Sequence, residues 1–261
     1  GHRVRILTPR PHRHRDLLVL PGVELVEANV HHQPTLTERL RGCSAVINLV
    51  GILNERRDDG SGFHRAHAEL PRKLVQSAWE AGARRVLHMC ALGAAADGPS
   101  HYQKSKHAGE QVMLQAARDG LAVTSFRPSV IFGPGDSFLN RFAGLLRTVP
   151  GPFPLACPDA RFQPVYVGDV AEAFVRSLDD PATHGRSFEL CGPREYTLQE
   201  LVEYIGRLTG HRRRVLRLPD ALARLQARAL EFVPGKPFSR DNYRSLQVPN
   251  VCADNALPGH F

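Results

Sequence analysis

Short apolar runs alternate with stretches of helical spacing along the first half of the chain. Val4–Thr8 and Val23–Val26 are brief runs with a β-branched bias and predict strands. Leu36–Leu40 predicts a short helix ahead of Gly42. The longest apolar run, Ala45–Leu53, is interrupted by Asn48 and predicts a buried parallel strand. It falls far short of the roughly 20 residues needed to cross a bilayer. Leu70, Leu74, Val75 and Ala78 recur at helical spacing, so residues 69–81 predict a helix that stops at Gly82. Arg85–Met89 predicts a strand. Residues 100–118 predict a helix that opens on a Ser100/Gln103 capping box and stops near Gly120. Val123–Arg127 predicts the next strand. Strands alternating with helices imply right-handed crossovers, hence an α/β, doubly wound parallel sheet.

The second half is less regular. Residues 133–164 hold many glycines and prolines and predict loops around one helix near 138–147. Helices are expected over 168–178, over 197–209 with a second capping box (Thr197, Glu200), and over 219–232, the last amphipathic. Ser187–Cys191 predicts a strand. The chain therefore divides into a core over 1–134 and a smaller, irregular portion over 135–261 that partly returns to the core.

Composition narrows the classes. With 42% hydrophobic and 23% charged residues, the chain is globular rather than disordered. The basic N-terminus lacks the apolar stretch of a signal peptide, and the opening on Gly1 reads as a cut end. Five cysteines without paired spacing suggest reduced thiols and a cytoplasmic setting. His64 and His67 stand three apart without further ligands, so an ordinary helix surface and no metal are expected. The net charge of +8 comes mostly from dispersed arginine, without a helix-turn-helix, zinc finger or basic–aromatic interleaving, so no nucleic-acid partner is expected.

The chemistry concentrates at Tyr102 and Lys106, whose i, i+4 spacing puts both on one helical face. An ammonium beside a phenol favours the phenolate, and such a tyrosine can exchange a proton with a carbonyl during hydride transfer. The lysine can also hydrogen-bond a ribose. Twelve positions before Tyr102, the strand over 85–89 ends at Cys90.

Five segments in order carry a resemblance: Asn48-Leu49-Val50-Gly51, Cys90-Ala91-Leu92-Gly93, Tyr102-Gln103-Lys104-Ser105-Lys106, Arg127 to Asp136, and Val165-Tyr166-Val167-Gly168-Asp169-Val170-Ala171. Together they resemble the extended and atypical short-chain dehydrogenase/reductases, of the NAD-dependent epimerase/dehydratase kind. Phe138-Leu139-Asn140-Arg141-Phe142 and the tail through Pro234-Gly235-Lys236-Pro237 look like the branch containing the nucleotide-binding accessory subunit of respiratory complex I and its bacterial relatives. The resemblance implies a Rossmann fold, with residues 1–134 binding a dinucleotide and 135–261 serving substrate or partner. It implies Tyr102 and Lys106 as catalytic pair and ribose anchor, and Cys90 where the family usually carries a catalytic serine. A thiol is the weaker hydrogen-bond donor. Asn29 and Val30, then Leu49, Val50 and Gly51, then Pro128, Ser129 and Val130 are implied along the cofactor. The family's glycine-rich loop is not among these residues; His2-Arg3-Val4 would follow directly after its first helix.

Cofactor choice is read after the first predicted strand, where an NAD enzyme usually carries an acid for the ribose hydroxyls. Arg10 and Arg13 stand there instead, and arginine forks suit a 2′-phosphate, so NADP(H) is expected over NAD. Asp169 is as readily a helix N-cap as a functional acid, Arg127 is open to a structural salt bridge, and Cys191-Gly192-Pro193 reads as a strand end. Three functions follow: an NADP-dependent oxidoreductase on an unidentified carbonyl or alcohol; a non-catalytic NADPH-binding subunit or sensor tied to respiratory complex I or quinone metabolism, with a respiratory-complex or inner-membrane-surface association as an option; or a sugar-nucleotide epimerase or dehydratase, for which residues 133–164 are short.

Overall fold

A computed structural model describes residues 2–261. Its strands in chain order are β1 (Val4–Thr8), β2 (Val23–Glu27), β3 (Ala45–Asn48), β4 (Arg85–Met89), β5 (Ala122–Pro128), β6 (Ile131–Phe132), β7 (Phe153–Leu155), β8 (Arg161–Phe162), β9 (Val165–Tyr166), β10 (Arg186–Leu190), β11 (Tyr196–Thr197) and β12 (Val215–Arg217). The helices are α1 (Gln33–Leu40), α2 (Ser61–His64), α3 (Leu70–Ala81), α4 (His101–Arg118), α5 (Leu139–Thr148), α6 (Val167–Ser177), α7 (Leu198–Leu208), α8 (Asp220–Leu230) and α9 (Arg240–Ser245).

The main sheet is parallel throughout, in the order β10-β5-β4-β3, and β1 and β2 form a separate parallel pair. Strand alternation gives the main sheet two buried faces. On one, Val46, Val86 and Val123 pack against Leu70, Leu74 and Ala78 of α3 and Met113 and Ala116 of α4. On the other, Leu87, Phe126, Phe188 and Leu190 pack against Val170, Ala173 and Phe174 of α6. A third apolar cluster, built from α5, β7, β8 and α7, forms the C-terminal portion.

Several details depart from the sequence expectations. The run 45–53 stops being a strand at Asn48, whose side chain turns the backbone by accepting from Val50 N–H (3.2 Å) while Nδ2 donates to His88 Nδ1 (3.1 Å). The helix over 69–81 begins earlier, as α2 and a π-helical segment, Arg65–Glu69. Residues 133–164 are more ordered than loops around one helix, because β7 and β8 lie within them. Asp169 does not cap α6. The cap position is Tyr166, without a side-chain bond, and Asp169 lies in the first turn, where a negative charge suits the helix dipole.

The cysteine expectation is corrected too. Cys191 and Cys252 form a disulfide across 61 residues, while Cys43, Cys90 and Cys157 are free. The tail folds back along β10: Ala256 N–H donates to the Glu189 carbonyl and Phe261 packs against Phe126 and Phe188. That return, which linear spacing does not reveal, brings the two sulfurs together. Among the described residues no helix is long and apolar enough to cross a membrane.

Candidate functional site

Helix α4 carries Tyr102 and Lys106, and three devices fix its N-terminus. Ser100 and Gln103 form the expected capping box. Asp241, at the start of α9, accepts the next amides, His101 N–H at 2.7 Å and Tyr102 N–H at 3.1 Å. Arg244 ties Asp241 to Asp58, at 3.2 and 2.7 Å. Asp58, His101 and Asp241 are close enough to resemble a metal site, but their carboxylates already serve these arginine and amide contacts.

The Tyr102 ring stands edge-on to Phe63 (5.9 Å between centroids) and to His67 (5.5 Å). His67 is not a surface residue, as its spacing from His64 had implied; it is 2% exposed. Its Nε2 accepts Ile52 N–H at 3.0 Å, which leaves Nδ1–H to donate to the Ser105 hydroxyl at 2.9 Å. Ser105 in turn donates to the Tyr102 carbonyl at 2.9 Å. The imidazole is therefore neutral, its pKa lowered to about 3 by burial and by Lys106. His88, beneath α4, is likewise lowered to about 3 by burial.

Lys106 is buried and donates from Nζ to the Met89 carbonyl at 3.0 Å. Burial lowers its pKa. The expected depression of the Tyr102 phenol by this ammonium is corrected: burial, with Cys90 adding to it, raises the phenol. Tyr102 therefore rests as a neutral acid. Cys90 is also neutral, its thiol pushed up to about 12 by burial, and Sγ leans on the carbonyls of Lys106 (3.6 Å) and Ala91 (3.9 Å). One turn further along α4, Glu110 accepts from Arg127, Ser125 and Ser187. Burial opposes its ionisation, but the Arg127 guanidinium outweighs this and holds the carboxyl below the usual range.

A cavity of about 510 Å³ opens where the carboxyl ends of β4 and β5 meet the C-terminal portion. Tyr102, Lys106, Cys90, Pro128, Ser129 and Val130 all line it. Asn250 from the tail braces its rim: Oδ1 accepts from the Ser129 hydroxyl (2.6 Å) and Val130 N–H (3.0 Å). The remaining expected positions lie elsewhere. Arg10 and Arg13 follow β1, exposed and without an ion pair among the described residues. Asn29, just after β2, accepts His31 N–H at 3.0 Å in a turn, and Val30 packs against the core beside it. Leu49, Val50 and Gly51 follow β3 and are exposed. A side chain at Gly51 would meet Lys106 Nζ at 3.3 Å, so the bare backbone there leaves room beside the buried ammonium. An open strand end with a lysine beside it suits a dinucleotide.

Sequence reading missed Phe63, His67, Asp241 and Asn250. None lies in a motif, and Asp241 and Asn250 come from more than 100 residues away. The pair Asn48 and His67 had left only weak local traces, an apolar run broken by one amide and a buried histidine at helical spacing.

The model of the NAD dependent epimerase/dehydratase family matches residues 1–191. A mitochondrial NADH dehydrogenase [ubiquinone] 1 alpha subcomplex subunit 9 of Arabidopsis thaliana is 32% identical over 226 residues, covering 82% of this chain and 55% of that protein. A ceramide reductase of Caulobacter vibrioides is 30% identical over 225 residues, covering 84% of this chain and 67% of that protein. Among solved structures, an NADPH-dependent quinone oxidoreductase of Escherichia coli complexed with NADPH superposes with a TM-score of 0.74 at 17% identity, over 98% of this chain and 83% of that one. The chain thus spans little more than half the length of the subunit it matches. With its parallel sheet, its Tyr102/Lys106 helix and that family match, the chain belongs to the NAD dependent epimerase/dehydratase family of NAD(P)-binding Rossmann proteins.

Proposed function

We propose that the protein is an NADP(H)-dependent oxidoreductase that reduces a carbonyl held against Tyr102. The observation that carries this reading is the meeting of Tyr102 and Lys106 on the wall of one cavity at the carboxyl ends of β4 and β5. When bound, NADPH supplies the hydride. Arg10 and Arg13 would hold its 2′-phosphate, Gly51 and Lys106 its ribose, and Pro128, Ser129 and Val130 its nicotinamide end. Tyr102 would give its phenolic proton to the carbonyl oxygen while the carbonyl carbon takes the hydride, so the C=O π bond is replaced by the C–H and O–H bonds of an alcohol. Lys106 balances the phenolate until it regains a proton from solvent. A phenol whose pKa is raised by burial starts in the acid form, which suits the reductive direction. Phe63 and His67 hold the ring, and the neutral imidazole adds no charge against the ammonium.

A second reading, a non-catalytic NADPH-binding subunit associated with a respiratory complex at a membrane surface, draws on two observations. Cys90 spends its thiol on backbone carbonyls, and the Arabidopsis relative is named as a subunit of that complex. Purified full-length protein should consume NADPH with a reducible ketone or aldehyde, and Tyr102→Phe should abolish that turnover while leaving NADPH affinity unchanged. NADPH binding without turnover of any carbonyl in a broad panel would overturn the enzyme reading and favour the subunit.

A further inference from the structure

Away from Tyr102, the cavity is apolar. Phe138 and Phe142, Leu145 of α5, Phe153 and Leu198 form its far wall, and of all the described lining residues only Lys106 and Arg141 carry charge. Arg141 is committed, donating to the Pro237 carbonyl at 3.0 Å. A diphosphate would therefore enter a chamber without a free cation beyond the lysine, at a large desolvation cost. An apolar chain would displace water from phenyl and leucyl surface, which is favourable.

One wall of this chamber is α8 and the turn after it, which contribute Gln226, Leu230, Pro237 and Phe238. Buried Ala223 and Ala227 seat α8 on the body of the protein. Its other side is unusual for a surface helix. Leu222, Leu225, Ala229 and Phe232 recur at i, i+3, i+7 and i+10, one stripe along the helix and its turn. Leu225 is 60% and Phe232 84% exposed, with Val233 beside them at 42%. Arg228 flanks the stripe, exposed and without an ion pair among the described residues, on a chain of net charge +8. Exposed large apolar side chains in a row with a free arginine are the features of a helix lying in the interface of an anionic bilayer.

We propose that α8 seats the protein on an anionic membrane surface and that the cavity behind it takes the apolar chain of a lipid bearing the carbonyl that Tyr102 protonates. The inference deepens the oxidoreductase reading and rests on it for the chemistry alone. The bilayer is the source of the substrate, α8 is both the contact and the cavity wall, and the lipid need not pass through water. The occupant is an anionic bilayer, whose phosphates complement Arg228 on a chain of net charge +8.

The test uses full-length protein and vesicles. It should co-sediment with vesicles of phosphatidylglycerol and phosphatidylcholine and much less with phosphatidylcholine alone. Leu225→Glu with Phe232→Glu should lower the partition coefficient by about a hundredfold, as expected for withdrawing two large apolar side chains from the interface. Thermal unfolding and NADPH affinity should not change, which excludes misfolding. Absence of anionic-vesicle binding, or equal partition of the double variant, overturns the membrane seat. For the chamber, the probe is cis-parinaric acid, read by fluorescence without turnover. It should bind the unaltered protein, and Phe142→Trp should weaken it by about tenfold by filling the cavity. No binding, or binding indifferent to Phe142→Trp, overturns the lipid assignment. With pentadecan-2-one and butan-2-one as substrates, turnover of neither while both binding results hold would sink the oxidoreductase reading and leave the lipid seat standing.

Discussion

A methyl group at Gly109 would stand 1.8 Å from the carbonyl oxygen of His67. Helix α4 approaches the π-helical segment this closely only because position 109 has no side chain, and the approach lets His67 reach Ser105 and Tyr102. Gly109→Ala must push the two elements apart. It should cost about 3 kcal/mol of stability, the upper range for overpacking, and any turnover should fall with it. Chemical denaturation checks the first effect; an unchanged midpoint would mean that the close approach is not needed.

Cofactor preference should follow the arginines after β1. Arg10→Asp should weaken NADPH by about 1.5–3 kcal/mol, the range for a charged hydrogen bond, and narrow or reverse its preference over NADH. Fluorescence titration of both nucleotides reads this directly. Equal affinities in the unaltered protein would remove the argument from Arg10 and Arg13.

Both readings give Lys106 a role in binding the dinucleotide. Lys106→Ala should weaken NADPH by about 1.5–3 kcal/mol in either case, and should additionally suppress turnover in the enzyme. Calorimetry with the purified protein gives the first number and a carbonyl assay the second.

Acid should unfold the protein through two histidines. His67 and His88 are each lowered from 6.5 to about 3, mainly by burial. The unfolded chain thus binds protons that the folded one refuses, so stability is complete above pH 6.5 and drains away as pH falls from 6.5 toward 3. By pH 5 each histidine should remove about 2 kcal/mol. Urea midpoints from pH 7 to 4.5 test this, with His88→Gln expected to flatten the slope; a flat profile in the unaltered protein would refute it.

The ion pair under the site should be costly to break from one side. Arg127→Met leaves Glu110, which is fully buried, without its cation and should destabilise by about 3–5 kcal/mol. Adding Glu110→Gln should recover part of this loss.

The legible parts of this molecule are those specified locally. Helix α4 was readable from Ser100, Gln103 and Gly120 because caps and stops are short-range chemistry, and β1, β4 and β5 from apolar runs between turn residues. That Tyr102 and Lys106 of α4 face one cavity was readable because four residues make about one helical turn. What surrounds them was not. The phenol's pKa depends on burial that three-dimensional packing decides, so the lysine's local effect was overrated. The π-helical segment depends on a close approach at Gly109, forty-two positions from His67 (109 − 67). The disulfide, Asp241 and Asn250 depend on the return of a tail whose sequence carries no periodic signal.

That return has a consequence for biosynthesis. A ribosome makes Tyr102, Lys106 and the four strands of the main sheet long before it reaches Asp241 and Asn250, which secure the helix start and the cavity rim. A nascent chain therefore carries Tyr102 and Lys106 in an unfinished chamber, open to solvent on the side that the tail later covers. Emergence of residues 241–250 from the exit tunnel, rather than completion of the sheet, is what closes the helix start and the cavity rim.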